Sequence, residues 1–227
     1  MFSGIDYQYI LNIVTSVVIV LVATVFHELA HAATANALGD PTAKERGRLT
    51  LNPFAHLDPV GSVVLPILMA LAGGPIFAFA KPVPYNPHRL RHPIRDEVLV
   101  ALAGPFANLI QALLGAGIFH LFMGVYDSGQ MDAAIAIQIL QVLASYTYLN
   151  LMLMFFNLIP LPPLDGSAII SPLLRGRARE AYYQVQRYSM PVLLAIMFLV
   201  PMVFHIDPLG IYLRATAGRA ADLILSI

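Results

Sequence analysis

The stretch YILNIVTSVVIVLVATVFHELAHAATANAL, residues 9–38, decides the reading of this chain. A bilayer is crossed by about 20 apolar residues in a helix. This run is longer, so its helix tilts or protrudes. Gly39 and Pro41 then supply a C-terminal stop. The run is too long for a signal-peptide core, lacks an obvious cleavage site and has no basic flank before it, so we read it as an uncleaved membrane helix. Near its end it carries His27-Glu28-Leu29-Ala30-His31. Charged groups inside a membrane helix are costly and commonly functional.

Composition agrees with a membrane chain. Of 227 residues, 58% are hydrophobic and only 11% charged, against roughly 25% charged in ordinary soluble domains. Mean hydropathy is +0.73. So little charge cannot cover a water-facing surface, which argues against a soluble domain, a disordered chain and a nucleic-acid binder. The net charge is zero, so no overall field draws in polyanions. The cysteine count is zero, which excludes disulfides, thiolate metal sites and cysteine nucleophiles.

Working outward, further apolar runs lie at Val60–Ala80, Val98–Val125, Ala133–Ile159 and Met190–Phe204. The stretch Leu209–Ile227 contains Arg214, Arg219 and Asp222 and suits an interfacial helix. Basic residues cluster at 44–48, 81–95 and 175–187, and none lies around Asp127–Asp132. The positive-inside rule puts the three basic loops in the cytoplasm. Val60–Ala80, broken by Pro66 and Gly73-Gly74-Pro75, then enters and leaves on one side as a re-entrant loop, or else spans and violates the charge rule. The expected fold is an all-α polytopic membrane protein with about five to six segments, of which Val60–Ala80 either re-enters or spans. We expect a single domain over 1–227, with a catalytic core at about 9–166 and C-terminal helices at 167–227.

H-E-x-x-H puts two imidazoles on one helical face, because i and i+4 lie one turn apart. Random placement of this composition produces the motif about 0.4% of the time. Neutral imidazoles suit zinc, and Glu28 lies about 100° round the helix, close enough to take a proton from water at the metal. His31 is eight residues before Gly39, or about 12 Å below the cytoplasmic surface. A hydrolytic zinc site needs a third protein ligand. Asp165, in Asn157-Leu-Ile-Pro-Leu-Pro-Pro-Leu-Asp165-Gly166, is the best candidate. The prolines forbid a regular helix there and suggest extended chain. On spacing alone, Asp165 as a cap for a helix starting near Gly166 stays open.

The motifs FHELAHA at 26–32, AGPFAN at 103–108 and NLIPLPPLDG at 157–166, in that order, resemble the site-2 protease family of intramembrane zinc metalloproteases. HLDPVGS at 56–62 with KPVP at 81–84 resembles a compact subgroup without PDZ or CBS domains. The resemblance implies one Zn2+ per chain held by His27, His31 and Asp165, with Glu28 as catalytic base. It implies roles for Asn108, spaced from Gly104 as in a family Gly-x-x-x-Asn-like motif, and for Asn157, in holding substrate or an oxyanion. His56 is a further candidate for supporting or replacing a metal ligand. The implied activity is peptide-bond hydrolysis in or near transmembrane helices of membrane-protein substrates, from a multi-pass protein of the plasma membrane with its site toward the cytoplasm. The competing reading is a non-proteolytic metal-binding membrane protein or transporter, which would want polar ligands along a route across the bilayer.

Overall fold

Helix α1, Tyr7–Ala37, ends where the sequence stops it. Gly39 has φ +111°. The Gly39 amide donates to Asn36 O, and the Asp40 amide to Ala35 O. This is a Schellman closure, whose left-handed position glycine fills without steric cost. The computed structural model of the protein describes residues 7–56 and 83–226. Val60–Ala80, with its choice between spanning and re-entry, lies outside the described residues, as do Asp58 and Lys81.

Helix α2 runs from Pro93 to Asp127 and α3 from Ala133 to Asn157. Pro93 takes the first position of α2, where its missing N–H costs nothing. Asp132 caps α3 by accepting from the Ala134 and Ile135 amides. Pro105 sits inside α2. The helix continues through it. A short helix, α4, spans Asp165–Ile170. Helix α5 runs from Gly176 to Phe204 with a π-helical stretch at Ala195–Leu199. It starts well before the apolar run at Met190, because its first half is polar and basic. The last elements, Pro208–Leu213, Arg214–Gly218 and Arg219–Leu225, follow one another as a C-terminal helix.

No strand occurs among the described residues. Four helices there are long and apolar enough to cross a membrane: Ile10–Ala37, Pro93–Asp127, Ala133–Asn157 and Gly176–Phe204. Their outer faces are large and apolar: Val14, Val17 and Val18 on α1, and Leu113, Leu114 and Leu121 on α2, are exposed. In water that surface would aggregate, whereas in lipid it is solvated. The protein is an all-α polytopic membrane protein.

Helix α2 is the centre of the bundle and packs against α1, α3 and α4. Small residues allow the close approach. Ala112, Ala116 and Phe119 of α2 meet Leu140 and Leu151 of α3, and Ala217, Ala221 and Leu225 of the C-terminal helix complete the cluster. The C-terminal helix therefore lays one face on α2 and α3. A Cβ at Gly115 would come within 2.7 Å of Thr147 Oγ1 and 2.9 Å of Tyr146 Cδ1, so only glycine lets α3 lie this close.

Candidate metal centre

His27 and His31 lie one turn apart on α1, with ring centroids 4.7 Å apart and nearly perpendicular. Their Nε2 atoms face each other at 3.1 Å. Asp165 Oδ2 lies 3.2 Å from His27 Nε2 and 3.4 Å from His31 Nε2. These three side chains form a group that could hold a metal ion. Tetrahedral ligands about 2.05 Å from zinc are separated from each other by about 3.3 Å. The three observed separations bracket that value.

The hydrogen bonds behind the rings test the fit. His27 Nδ1 donates to Asn108 Oδ1 at 2.5 Å, and His31 Nδ1 donates to Val100 O at 2.7 Å. Both partners are acceptors, so both Nδ1 atoms carry the proton and both neutral Nε2 atoms present bare lone pairs. Two lone pairs and a carboxylate oxygen converging at this distance repel one another unless a cation lies among them. Asp165 Oδ2 is buried and has no hydrogen-bond partner, which is costly for a group without a charge to balance it. Gly104 completes the cradle. A Cβ there would lie 2.3 Å from His31 Nε2 and 2.6 Å from His27 Nε2. These are near metal-ligand distances, so glycine leaves open the volume an ion would take. Nitrogen and oxygen donors in this number suit zinc.

Asp165 arrives by a turn-rich connection. Leu158 continues α3 as its C-cap, and the amides of Ile159, Leu161 and Leu164 then bond to Phe156 O, Ile159 O and Leu161 O. The expected extended stretch is thus a series of tight turns, because local carbonyls take up the amides that the prolines leave. Gly166 lies against the start of this connection: a Cβ there would be 2.4 Å from Leu158 O and 2.5 Å from Ile159 O. The Asp-Gly pair therefore works as a unit, with glycine closing the fold-back and aspartate reaching the imidazoles. Asp165 is the first residue of α4, and Leu164 occupies the cap position.

Glu28 is half-buried beside the cluster, and its Oε2 accepts from the Val83 amide at 3.0 Å. Asn108 is fully buried and sits behind His27, its Nδ2 donating to Asn150 Oδ1 at 2.9 Å. Asn157 ends α3, and its Nδ2 donates to Leu153 O. His56 is buried, and its Nε2 donates to Thr50 O at 2.9 Å. Among the described residues no hydrogen bond joins His56 to His27, His31 or Asp165. Sequence reasoning missed Val83, Gln111, Tyr146 and Asn150. Gln111 and Asn150 carried a signal, since uncharged polar side chains within membrane helices tend to be bonded across helices. Val83 carried none, because it acts through its backbone.

Fold and donor set together define a membrane-embedded metallohydrolase centre, with an acidic residue beside paired imidazoles. The sequence pattern of peptidase family M50 matches residues 15–200. The chain is 41% identical over 215 residues to the protein named "Putative zinc metalloprotease YwhC" of Bacillus subtilis, covering 93% of this chain and 89% of that one. It is 31% identical over 192 residues to "Putative zinc metalloprotease Rip2" of Mycolicibacterium smegmatis, covering 83% of this chain and 65% of that one. Against the Rip2 protein of Mycobacterium tuberculosis H37Rv it is 32% identical over 181 residues, covering 80% of this chain and 65% of that one. No solved structure matches the chain. The chain belongs to peptidase family M50, the site-2 protease family. It is an integral membrane zinc metalloprotease with Zn2+ as cofactor.

Proposed function

We propose that this protein is an endopeptidase that cuts transmembrane protein substrates within or beside their membrane helices, with His27, His31 and Asp165 holding the zinc and Glu28 acting as base. The carrying observation is the convergence of two proton-free Nε2 atoms and the Asp165 oxygen at 3.1–3.4 Å beside Gly104. We read the whole chain as one catalytic unit, with its core at about 9–166. We place the protein in the plasma membrane, and its basic loops favour a site that opens toward the cytoplasm.

When bound, zinc supplies a Lewis acid and brings the pKa of water toward about 7. The remaining chemistry belongs to the chain. Glu28 Oε2 is held by the Val83 amide, which leaves Oε1 to accept the proton of the attacking water and return it to the leaving amine. Asn108 and Val100 keep both imidazoles aimed with Nε2 inward. A substrate helix hides its carbonyls in its own hydrogen bonds, so it must unwind before attack. To Asn157, at the end of α3, we assign the holding of the unwound substrate, as the resemblance implies. The turns after it offer no strand edge with which a substrate could pair.

The test is Glu28→Gln in liposomes with a helical membrane substrate. Zinc is expected to stay bound while cleavage is lost. A variant that cleaves normally overturns the assignment of the base. A protein that moves zinc across the liposome with or without Glu28 favours the carrier reading.

A further inference from the structure

Two sets of hydrogen bonds tie α1, α2 and α3 together around His27, and they meet at Tyr146, whose hydroxyl belongs to one and whose backbone carbonyl belongs to the other. Gln111 Nε2 donates to Ala23 O at 3.3 Å, and Tyr146 Oη donates to Gln111 Oε1 at 2.8 Å. Asn150 Nδ2 donates to Tyr146 O at 3.0 Å. Asn108 Nδ2 then donates to Asn150 Oδ1 at 2.9 Å, and His27 Nδ1 donates to Asn108 Oδ1 at 2.5 Å. The members come from three helices at helical spacing: Ala23 and His27 on α1, Asn108 and Gln111 on α2, Tyr146 and Asn150 on α3. Asn108 and Asn150 are fully buried, and Gln111 is 6% exposed.

The direction of every bond is dictated by two backbone carbonyls. Ala23 O can only accept, so the Gln111 nitrogen faces it and the Gln111 oxygen faces the Tyr146 hydroxyl. Tyr146 O can only accept, so Asn150 offers its nitrogen there and its oxygen to Asn108. Asn108 must then give its nitrogen to Asn150 and its oxygen to His27. An amide orientation left to itself is ambiguous, but here each flip would put two donors or two acceptors face to face among buried side chains. His27 is left one arrangement, with the proton on Nδ1 and the lone pair on Nε2.

We infer that Asn150 is a positioning residue for His27: anchored on the Tyr146 carbonyl and acting through Asn108, it holds the ring and its tautomer ready for the metal. This rests on the reading of His27 as a zinc ligand. Metal-ligating histidines depend on the partner of the far nitrogen, and losing that partner typically weakens metal binding 10- to 100-fold. Here the partner is itself an amide that could turn round, and the relay stops it turning. Gly115 belongs to the same arrangement, since it lets the Tyr146 ring lie against α2.

The test uses the full chain in detergent, loaded with zinc. Zinc affinity is read by competition with a chelator. The His27 Nδ1 proton is followed by 15N-resolved exchange with solvent. Asn150→Leu frees the Asn108 amide to rotate. Zinc affinity is expected to fall about 10- to 100-fold, and the Nδ1 proton to exchange faster than in wild type. Asn150→Ser leaves a side chain too short to reach Asn108, and is expected to shift both readouts in the same direction. It carries the test should Asn150→Leu fail to fold. Unchanged affinity and unchanged exchange in the folded variants overturn the inference. His27→Ala in the same competition separates the two claims. If it binds zinc as tightly as wild type, the metal-site reading fails. If it loses zinc while the relay variants match wild type, only the relay fails.

Discussion

The Val83 amide donates to Glu28 Oε2 at 3.0 Å, joining an acidic side chain of α1 to a segment 55 residues further along the chain. The segment is anchored at its other end, where the Asn86 amide donates to Asp40 Oδ2 at 2.5 Å. A carboxylate in a membrane helix is thereby held in one orientation by a backbone group. Val83→Pro deletes that donor and leaves an apolar residue in its place. A hydrogen bond to a charged group contributes about 1.5–3 kcal/mol, so turnover is expected to fall about tenfold or more. Zinc content, measured alongside, should not change. Full activity would show that Glu28 needs no brace.

Asp165→Asn keeps shape and removes charge. A neutral amide cannot balance the cation or replace the carboxylate as a good zinc ligand. Zinc recovered with the purified protein should drop sharply, together with proteolysis. In the wild type, a strong chelator should abolish cleavage and added zinc should restore it. Zinc retained by the variant at wild-type stoichiometry would remove Asp165 from the site.

Gly104→Ala puts a methyl group 2.3 Å and 2.6 Å from the two Nε2 atoms, in the volume the ion would occupy. To accommodate it the imidazoles must swing off their bonds to Asn108 and Val100, or α1 must move from α2. We expect loss of zinc and at least a hundredfold loss of activity in a protein that still enters the membrane and resists protease digestion as wild type does. An active Gly104→Ala enzyme would mean that the ion lies elsewhere.

Gly166→Ala strikes the same aspartate from behind. Its Cβ would meet Leu158 O at 2.4 Å, which pushes α4 off the turn and carries Asp165 away from the imidazoles. Overpacking of this kind costs about 1–3 kcal/mol. Lower thermal stability accompanied by weaker zinc binding is expected. Destabilisation with unchanged zinc affinity would separate the turn from the site.

Asp40 predicts a pH dependence. Burial alone would raise its carboxyl, but the Thr42 hydroxyl, the Asn86 and Thr42 amides and nearby Arg89 outweigh that and hold it below the usual carboxylate range. A group lowered on folding stabilises fully above its unfolded value, near 3.9, and loses that contribution as pH falls through the folded value. The stability gap between wild type and Asp40→Asn should therefore be full at neutral pH and shrink only once the pH drops below about 4. A gap that stays constant down to pH 3 would show that the charge contributes nothing.

Much of the architecture was legible in the chain because lipid imposes simple demands. Apolar runs of spanning length and Gly39 after α1 fixed where helices lie, since backbone groups in hydrocarbon must bond within their own segment. His27 and His31 were legible for the same local reason: a helix alone brings i and i+4 together. Asp165 was legible as a candidate, while its alternative as a helix cap rested on equally local grounds.

What tertiary structure decided is everything that depends on two distant segments meeting. Only the packing of α2 on α1 shows that Gly104 leaves space at the imidazoles and that Asn108 lies behind His27. Only the fold-back held open by Gly166 brings Asp165 within 3.4 Å of both rings. The Val83 brace on Glu28 is a backbone bond and leaves no trace in side-chain identity. Periodicity reports how one segment meets its surroundings. The donor set of a metal centre is a property of contacts across the bundle, and those exist only once the helices have packed.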